Sequence, residues 1–228
     1  MNKLLDSTKT SSHAVQDYAK AIWSLAQRSD EPVSTSALAE RLEVSPASAS
    51  AMVKRLESLG LATREPYHGV ELTPAGERVA LEVVRHHRLL ELYLAEALGM
   101  PWDRVHAEAE VLEHAISDEV SERISDALGN PTRDPHGDPI PTADGLIEET
   151  PTRALADLKA GETGTFVRVS DSEPEMLRYL SECGILPGDP FEVVKREPFG
   201  GPLSVRFGDE LHVLGGTLTQ AMRTEAGA

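Results

Sequence analysis

The segment NPTRDPHGDPIPTADG, residues 130–145, contains so much Pro, Gly and Asp that a regular helix or strand cannot run through it. Most of the chain before it has apolar residues at helical spacing. The chain after it contains short β-type runs separated by Gly-rich turns, TGTFVRVSD, PFEVVKRE, LSVRFG and ELHVLG. We therefore interpret residues 130–145 as a linker that separates a mainly helical part from a small β-barrel.

Residues 1–74 contain three helical patterns followed by two β-capable runs. Ser34 or Thr35 is suited to cap the second helix, and Ser45 and Pro46 are suited to begin the third. The runs in LATREPYHGVELTP flank Pro-Tyr-His-Gly, which predicts a hairpin. Two short helices joined by a tight turn and followed by a hairpin predict a winged helix-turn-helix.

Composition excludes several classes of protein and of metal site. The single cysteine, Cys183, rules out a disulfide framework and a Cys-rich zinc site, so any metal must be held by His and carboxylates. No apolar run approaches the roughly 20 residues of a membrane span, and MNKLLDSTKT lacks the apolar core of a signal peptide. We expect a cytoplasmic protein with no membrane partner.

Acidic residues are concentrated in the middle of the chain. The net charge is −16, and residues 76–145 carry 15 acidic and 6 basic side chains, against 9 and 8 in residues 1–75. An acidic chain is an unusual ligand for nucleic acid, because phosphate binding depends on Lys and Arg. The nearly neutral first segment removes much of that objection and indicates that the segments have different roles.

One helix in the acidic segment carries His106, Glu110, Glu113 and His114 on a single face. With about 100° and 1.5 Å per residue, the four side chains span an arc about 100° wide. Glu110, Glu113 and His114 fall within one turn and could bind one ion. His106 and His114 are about 12 Å apart, which is too far to share an ion through bonds of about 2 to 2.6 Å. The stripe therefore predicts two metal sites or none.

The preceding helix supplies a matching pair, His87 and Glu91, at i and i+4. Antiparallel packing of the two helices would bring this pair to His106. The alternative is that all these side chains are solvated charges on helix surfaces. A carboxylate-bridged di-metal enzyme would explain the stripe but not the winged helix. A metal-independent regulator that senses a small molecule would explain the winged helix but not the stripe.

The sequence HHRLLELYLAEALGMPWDRVHAEAEVLEHAISDE, with DPHGDPIP after it and a winged helix before it, closely resembles the diphtheria toxin repressor family of metal-dependent transcriptional regulators. The resemblance covers nearly the whole chain and implies a mainly α fold with a small β part. Residues 1–74 would form the winged helix-turn-helix DNA-binding domain, residues 75–145 a helical dimerisation and metal-binding domain, and residues 146–228 an SH3-like (FeoA-like) β-barrel. The expected assembly is a homodimer on double-stranded operator DNA.

The resemblance also implies two metal sites in each chain. The primary site would comprise Asp17, Glu110, Glu113 and His114. The ancillary site would comprise His87, Glu91, His106 and, from the SH3-like domain, Glu173. Whether Asp171 or Met176 helps to complete the ancillary site stays open at this point.

Three positions bear on which metal is bound and how. Iron-responsive members of the family carry Met and Cys where this chain has Asp17 and Glu110, and replacing sulfur by carboxylate favours Mn²⁺. Lys20 occupies a position where some manganese regulators have a second acid, and a charged ammonium cannot bind a cation. The resemblance therefore implies a repressor, not an enzyme, that senses Mn²⁺ and controls metal-uptake genes. The alternative is an Fe²⁺-dependent repressor of iron-uptake genes.

The third helix is the candidate DNA reader. Its short hydroxyls suit phosphates, its alanines could contact thymine methyl groups, and its basic residues could pair with phosphates. The alternative is that Ala and Ser simply allow close helix packing. The expected DNA-contacting residues are Ser45, Ala47, Ser48, Ser50, Ala51, Lys54 and Arg55.

Overall fold

The structure, a computed structural model, describes residues 12–27, 31–65 and 69–227. The start of the chain and the predicted hairpin turn at residues 66–68 lie outside the described residues. Contacts divide the protein into two compact units. One unit comprises the chain up to His86 together with Pro141–Leu146, and the other comprises His87–Ile140 and the chain from Ile147 onward.

The first unit is a winged helix-turn-helix, as predicted. Its elements are α1 (His13–Ala26), α2 (Thr35–Arg41), α3 (Pro46–Ser58), the antiparallel pair β1 (Ala62–Glu65) and β2 (Gly69–Leu72), and the first half of α4 (Pro74–Glu96). The Ser34 hydroxyl accepts a hydrogen bond from the Ala37 amide, and the Ser45 hydroxyl accepts one from the Ser48 amide, both at 3.1 Å. The Ser34 cap therefore fixes the start of α2, and the Ser45 cap fixes the start of α3 at the turn between the two helices.

Apolar side chains from each of the first three helices and both strands form the core of this unit. The buried members are Val15, Tyr18, Ala21, Ile22, Val33, Leu38, Ala39, Ala49, Val53, Leu56, Leu61, Ala62 and Val70. Because α3 turns Ala49, Val53 and Leu56 inward, its opposite face is left exposed.

The second unit begins within α4 and continues through α5 (Trp102–Leu112) and α6 (Asp118–Ala127). The acidic helix ends earlier than its periodicity suggests: Glu113 is the C-cap of α5, and His114 lies in the following turn. The Ser117 hydroxyl accepts a hydrogen bond from the Val120 amide at 3.3 Å, so α6 begins as a separate helix. No helix among the described residues is both long and apolar enough to span a membrane.

The C-terminal part of the second unit is an antiparallel sheet with two helices. Its elements are β3 (Arg153–Ala154), β4 (Thr163–Arg168), α7 (Pro174–Glu182), β5 (Pro190–Arg196), β6 (Leu203–Phe207), β7 (Glu210–Leu214), α8 (Gly216–Ala221) and β8 (Arg223–Ala226). The strand order is β3-β8-β4-β5-β6-β7. Since β3 and β7 are not paired with each other among the described residues, the SH3-like β-barrel predicted from the sequence is an antiparallel sheet that does not close.

Residues 130–140 do not form the linker that their composition suggested. The Asp134 carboxylate accepts hydrogen bonds from the backbone amides of His136 and Asp138, both at 2.9 Å. The carbonyl of His136 accepts a hydrogen bond from the Val169 amide at 3.0 Å. Asp134 and His136 are buried. These hydrogen bonds satisfy backbone amide and carbonyl groups of an irregular segment, which could not be buried without partners. Residues 130–140 are therefore a fixed part of the second unit.

Substitution of Gly137 tests how tightly this segment is held. Gly137 has a φ of +88°, and a Cβ there would lie 1.8 Å from the carbonyl oxygen of Val167, whereas Gly129, with a φ of +78°, has open space around it. Gly129→Ala should cost about 1 kcal/mol through backbone strain alone, and Gly137→Ala about 2 kcal/mol more because the backbones must separate. Denaturant unfolding measures both values, and equal losses would contradict a tightly docked segment.

Candidate metal centre

Four side chains of the second unit converge on one point. His87 and Glu91 come from α4, His106 from α5 and Asp171 from the loop before α7. The His106 Nδ1 atom lies 3.1 Å from His87 Nε2, 3.2 Å from Glu91 Oε1 and 2.8 Å from Asp171 Oδ2. One donor atom from each residue lies within 4.8 Å of the other three. We call this set the ancillary cluster, and its spacing allows all four donors to bind a single ion.

Local helix geometry explains part of this arrangement. His87 and Glu91 are one turn apart in α4, and their Nε2 and Oε1 atoms are 3.0 Å apart. The partner from the C-terminal part is Asp171 and not Glu173, the residue named from the sequence. Glu173 is exposed as the N-terminal cap residue of α7, while Asp171, two residues earlier, faces His106.

The histidine and carboxylate charges of the ancillary cluster partly offset one another. Burial by itself would raise the pKa of Glu91, but His87, His106 and His136 hold it well below its usual range. The hydrogen bond to Asp171, followed by that to Glu91, raises the pKa of His106 to about 10. Burial would raise the pKa of Asp171 as well, but His106 lowers it. Without a metal ion, His106 therefore carries a proton near neutral pH and neutralises part of the carboxylate charge.

The stripe residues closer to the end of α5 adjoin the ancillary cluster. The His87 Nδ1 atom lies 2.5 Å from Glu113 Oε2 and 3.8 Å from Glu110 Oε1. The His114 Nε2 atom lies 3.5 Å from Glu113 Oε1. His87 therefore faces the ancillary cluster with one ring nitrogen and Glu113 with the other. Helix spacing placed His106 and the Glu113–His114 pair in separate sites, but the His87 imidazole contacts both His106 and Glu113. Asp17, named from the sequence with them, lies on α1 in the first unit and is half-buried.

Two buried residues that the sequence interpretation missed, Asp134 and His136, lie beside Glu91. Among the described residues, His136 Nδ1 has no hydrogen-bond partner, and it lies 3.8 Å from Glu91 Oε2. Burial would lower the pKa of His136, but Glu91 and Asp134 raise it to about 9. Burial, and then the charges of Glu91 and Asp138, raise the pKa of Asp134 well above its usual range. The motif DPHGD contained the signal, but its Pro and Gly content favoured a linker.

The chemistry of these groups fits a divalent cation. All donors of the ancillary cluster are imidazole nitrogens or carboxylate oxygens, which suit Mn²⁺, Fe²⁺ and Zn²⁺. Glu91 is only 1% exposed, and the His136 Nδ1 atom near it has no hydrogen-bond partner among the described residues. A buried carboxylate needs positive charge beside it, so a cation is favoured next to Glu91. A metal ion would have to displace the proton of His106, because only neutral imidazole binds metals.

The candidate DNA-reading residues lie on or at the start of α3 in the first unit. Ser45 caps the helix, and its hydroxyl is 2.9 Å from that of Ser48. Ser50 is half-buried. The other residues named from the sequence are exposed: Ser45, Ala47, Ser48, Ala51, Lys54 and Arg55. α3 thus presents small and basic side chains on its outer face, a surface that can approach a DNA groove closely.

Family models match this chain in three consecutive stretches. Residues 11–70 match the N-terminal DNA-binding domain of iron-dependent repressors. Residues 73–142 match the metal-binding and dimerisation domain of the same repressors. Residues 153–225 match the FeoA domain. The stretches correspond to the winged helix-turn-helix, the helices that carry most of the metal-binding candidates, and the C-terminal sheet.

Relatives that match most of this chain are named as repressors, some of them iron-dependent or manganese-dependent. The iron-dependent repressor IdeR of Mycobacterium tuberculosis is 32% identical over 240 residues, with 99% of both chains covered. The diphtheria toxin repressor of Corynebacterium efficiens is 34% identical, with 86% of both chains covered. A solved manganese-dependent transcriptional repressor in complex with manganese is 45% identical, with a TM-score of 0.86 and coverage of 93% of this chain and 99% of that chain. The chain therefore belongs to the diphtheria toxin repressor family of metal-dependent, DNA-binding transcriptional repressors.

Proposed function

We propose that this protein senses Mn²⁺ and, as a homodimer on double-stranded operator DNA, represses metal-uptake genes. The observation that carries the metal assignment is the presence of carboxylates at Asp17 and Glu110, since hard oxygen donors favour Mn²⁺ over softer ions. The 45% identity to a manganese-dependent repressor supports the same choice. The family match to a dimerisation domain supports the homodimer.

Two sites per chain are proposed. The ancillary site comprises His87, Glu91, His106 and Asp171, with Asp171 taking the place assigned to Glu173 from the sequence. The primary site comprises Asp17, Glu110, Glu113 and His114. The contact between His87 Nδ1 and Glu113 Oε2 supports communication between the sites, because a ligand of one is hydrogen-bonded to a ligand of the other.

Asp17 is the residue that would transmit metal occupancy to DNA. It lies on α1, which packs with α3 in the core of the first unit. When bound, a divalent ion supplies the positive charge that lets Asp17, Glu113 and His114 come together without repulsion between the carboxylates. Because Asp17 is on α1, metal binding favours one pose of the DNA-reading helix α3. The population shifts toward that pose by the difference between the metal affinities of the two poses.

An Fe²⁺-dependent repressor of iron-uptake genes is the second candidate. The specific observation in its favour is that the relatives from Mycobacterium tuberculosis and Mycobacterium leprae, which match 99% of this chain, are named iron-dependent. Imidazole and carboxylate donors accept Fe²⁺ as well as Mn²⁺. Measurements with both ions therefore decide between the candidates.

The first test is the metal dependence of DNA binding. Duplexes selected from a random pool on Mn²⁺-loaded protein should bind in fluorescence anisotropy with Mn²⁺, bind less well with Fe²⁺ under anaerobic conditions, and be released by a chelator. Ser48→Glu, which places an acid on the exposed face of α3, should still bind Mn²⁺ but not the duplex. Equal DNA affinity with and without chelator, or no enriched duplex, would overturn the proposal.

The second test is the choice of ion. Asp17→Met combined with Glu110→Cys should reverse the order in which Mn²⁺ and Fe²⁺ activate DNA binding, because both changes replace oxygen by sulfur. Glu108→Cys is the matched control: Glu108 lies on the same helix but is exposed and outside the clusters, so the order should not change. An unchanged order in the double variant would count against the proposed primary site.

The third test is proton release. At pH 7 the ancillary site must lose the proton of His106, whose pKa is about 10, before a metal can bind. Mn²⁺ affinity at this site should therefore rise about tenfold per pH unit for each proton displaced between pH 6 and 8. Calorimetry in buffers with different ionisation enthalpies counts the protons directly. Binding of Mn²⁺ without proton release would contradict His106 as a ligand.

A further inference from the structure

Trp102 belongs to α5, yet its side chain is buried in the core of the C-terminal sheet. It is 8% exposed, and every other buried member of that core comes from residues 155–222. Those members are Leu155, Leu158, Phe166, Val169, Leu177, Leu180, Ile185, Phe191, Val193, Leu203, Val205, Phe207, Leu214 and Met222. The first residue of the metal-binding helix is therefore a structural component of the FeoA-like part.

Polar contacts fix the orientation of Trp102. Its indole Nε1–H donates a hydrogen bond to the Leu177 carbonyl of α7 at 3.1 Å. Its own carbonyl accepts a hydrogen bond from His136 Nε2 at 2.8 Å, and the two rings stack with centroids 5.8 Å apart. Next to it, Asp103 pairs with Arg178 of α7 at 3.1 Å. The start of α5 is thereby fastened to α7 by both apolar and polar contacts.

The same two elements meet again at the ancillary cluster. His106 follows Trp102 by one helical turn, about 6 Å along α5. Asp171 lies three residues before the first residue of α7, and the contact between His106 and Asp171 measures 2.8 Å. The Trp102–Leu177 contact and the His106–Asp171 contact are thus two parts of one interface between α5 and α7.

We propose that Trp102 is a positioning residue of the metal centre, which keeps Asp171 at His106 by holding α7 against α5. The proposal rests on the proposed function, because it takes Asp171 as a ligand of the ancillary site. Asp171 is on a loop, and a metal ligand has to be placed to within about 0.2 Å of its bonding distance. A loop carboxylate meets this requirement only if the neighbouring elements restrict it. The FeoA-like part is then a fixed donor of the sensor.

A double-mutant cycle separates positioning from simple stabilisation. Mn²⁺ affinity is measured by calorimetry on the full chain in a His114→Ala background, which removes the proposed primary site, at a temperature where each variant is folded. Asp171→Asn should weaken binding on the order of tenfold to a hundredfold, and Trp102→Leu should have a similar effect. The combined variant should be no weaker than Asp171→Asn alone, because the ligand that Trp102 positions is already lost.

Two further variants complete the experiment. Leu155→Ala removes a fully buried side chain of the same core that belongs to neither α5 nor α7, so it should lower the melting temperature but leave Mn²⁺ affinity unchanged. Trp102→Phe keeps an aromatic ring but loses the donor to Leu177, so it should weaken Mn²⁺ binding less than Trp102→Leu, and it replaces the leucine variant in the cycle if that variant does not fold.

The outcomes distinguish a failure of Asp171 as a ligand from a failure of Trp102 as a positioning residue. If Asp171→Asn leaves Mn²⁺ affinity unchanged, the ligand assignment of the proposed function fails. If Asp171→Asn weakens binding but the Trp102 variants do not, or if their losses are additive, Asp171 remains a ligand and the positioning role is overturned. A Leu155→Ala variant that weakens Mn²⁺ binding as much as the Trp102 variants would also overturn it, because any damage to the core would then suffice.

Discussion

The buried carboxylate of Glu91 is the group on which the second unit depends. A carboxylate that is 1% exposed loses nearly all its hydration and is tolerated only if positive charge or hydrogen-bond donors surround it. Here His87 and His106 approach one oxygen, at 3.0 and 3.2 Å, and His136 lies 3.8 Å from the other. These histidines come from α4, α5 and the 130–140 segment, so the charge of one side chain dictates how three pieces of chain must meet.

This arrangement places the candidate metal ligands and the packing of the unit in the same residues. Without an ion, Glu91 is balanced by protons on the histidines, and the pKa values of His106 and His136 are raised to about 10 and 9. A divalent ion can take over that role if the protons leave, which links metal binding to pH and to the assembly of the helices. In the protonated state the histidines offset part of the carboxylate charge, and the same donor atoms suit a divalent cation.

The C-terminal part contributes to the centre as well as to the fold. Asp171 comes from it, His136 is hydrogen-bonded to it through Val169, and Trp102 of α5 fills its core. The open sheet leaves its edges unpaired among the described residues, but α7 turns Leu177 and Leu180 into the core and holds the loop that carries Asp171. A small sheet and a helical pair thus complete one another within a single compact unit.

The sequence by itself determined the features that depend on local periodicity. These features are the helices of the winged helix, the capping role of Ser45 and the pairing of His87 with Glu91. Each involves residues three or four positions apart, whose geometry a helix or a turn fixes. For the cap of α2 the sequence left Ser34 and Thr35 open, and the structure has Ser34. Tertiary structure alone decided the rest. It placed Asp171, and not Glu173, against His106, buried Asp134 and His136 in a segment whose composition indicated a linker, and left the sheet open. These outcomes depend on contacts between residues far apart in the chain, where no repeat in the sequence specifies which partner is met.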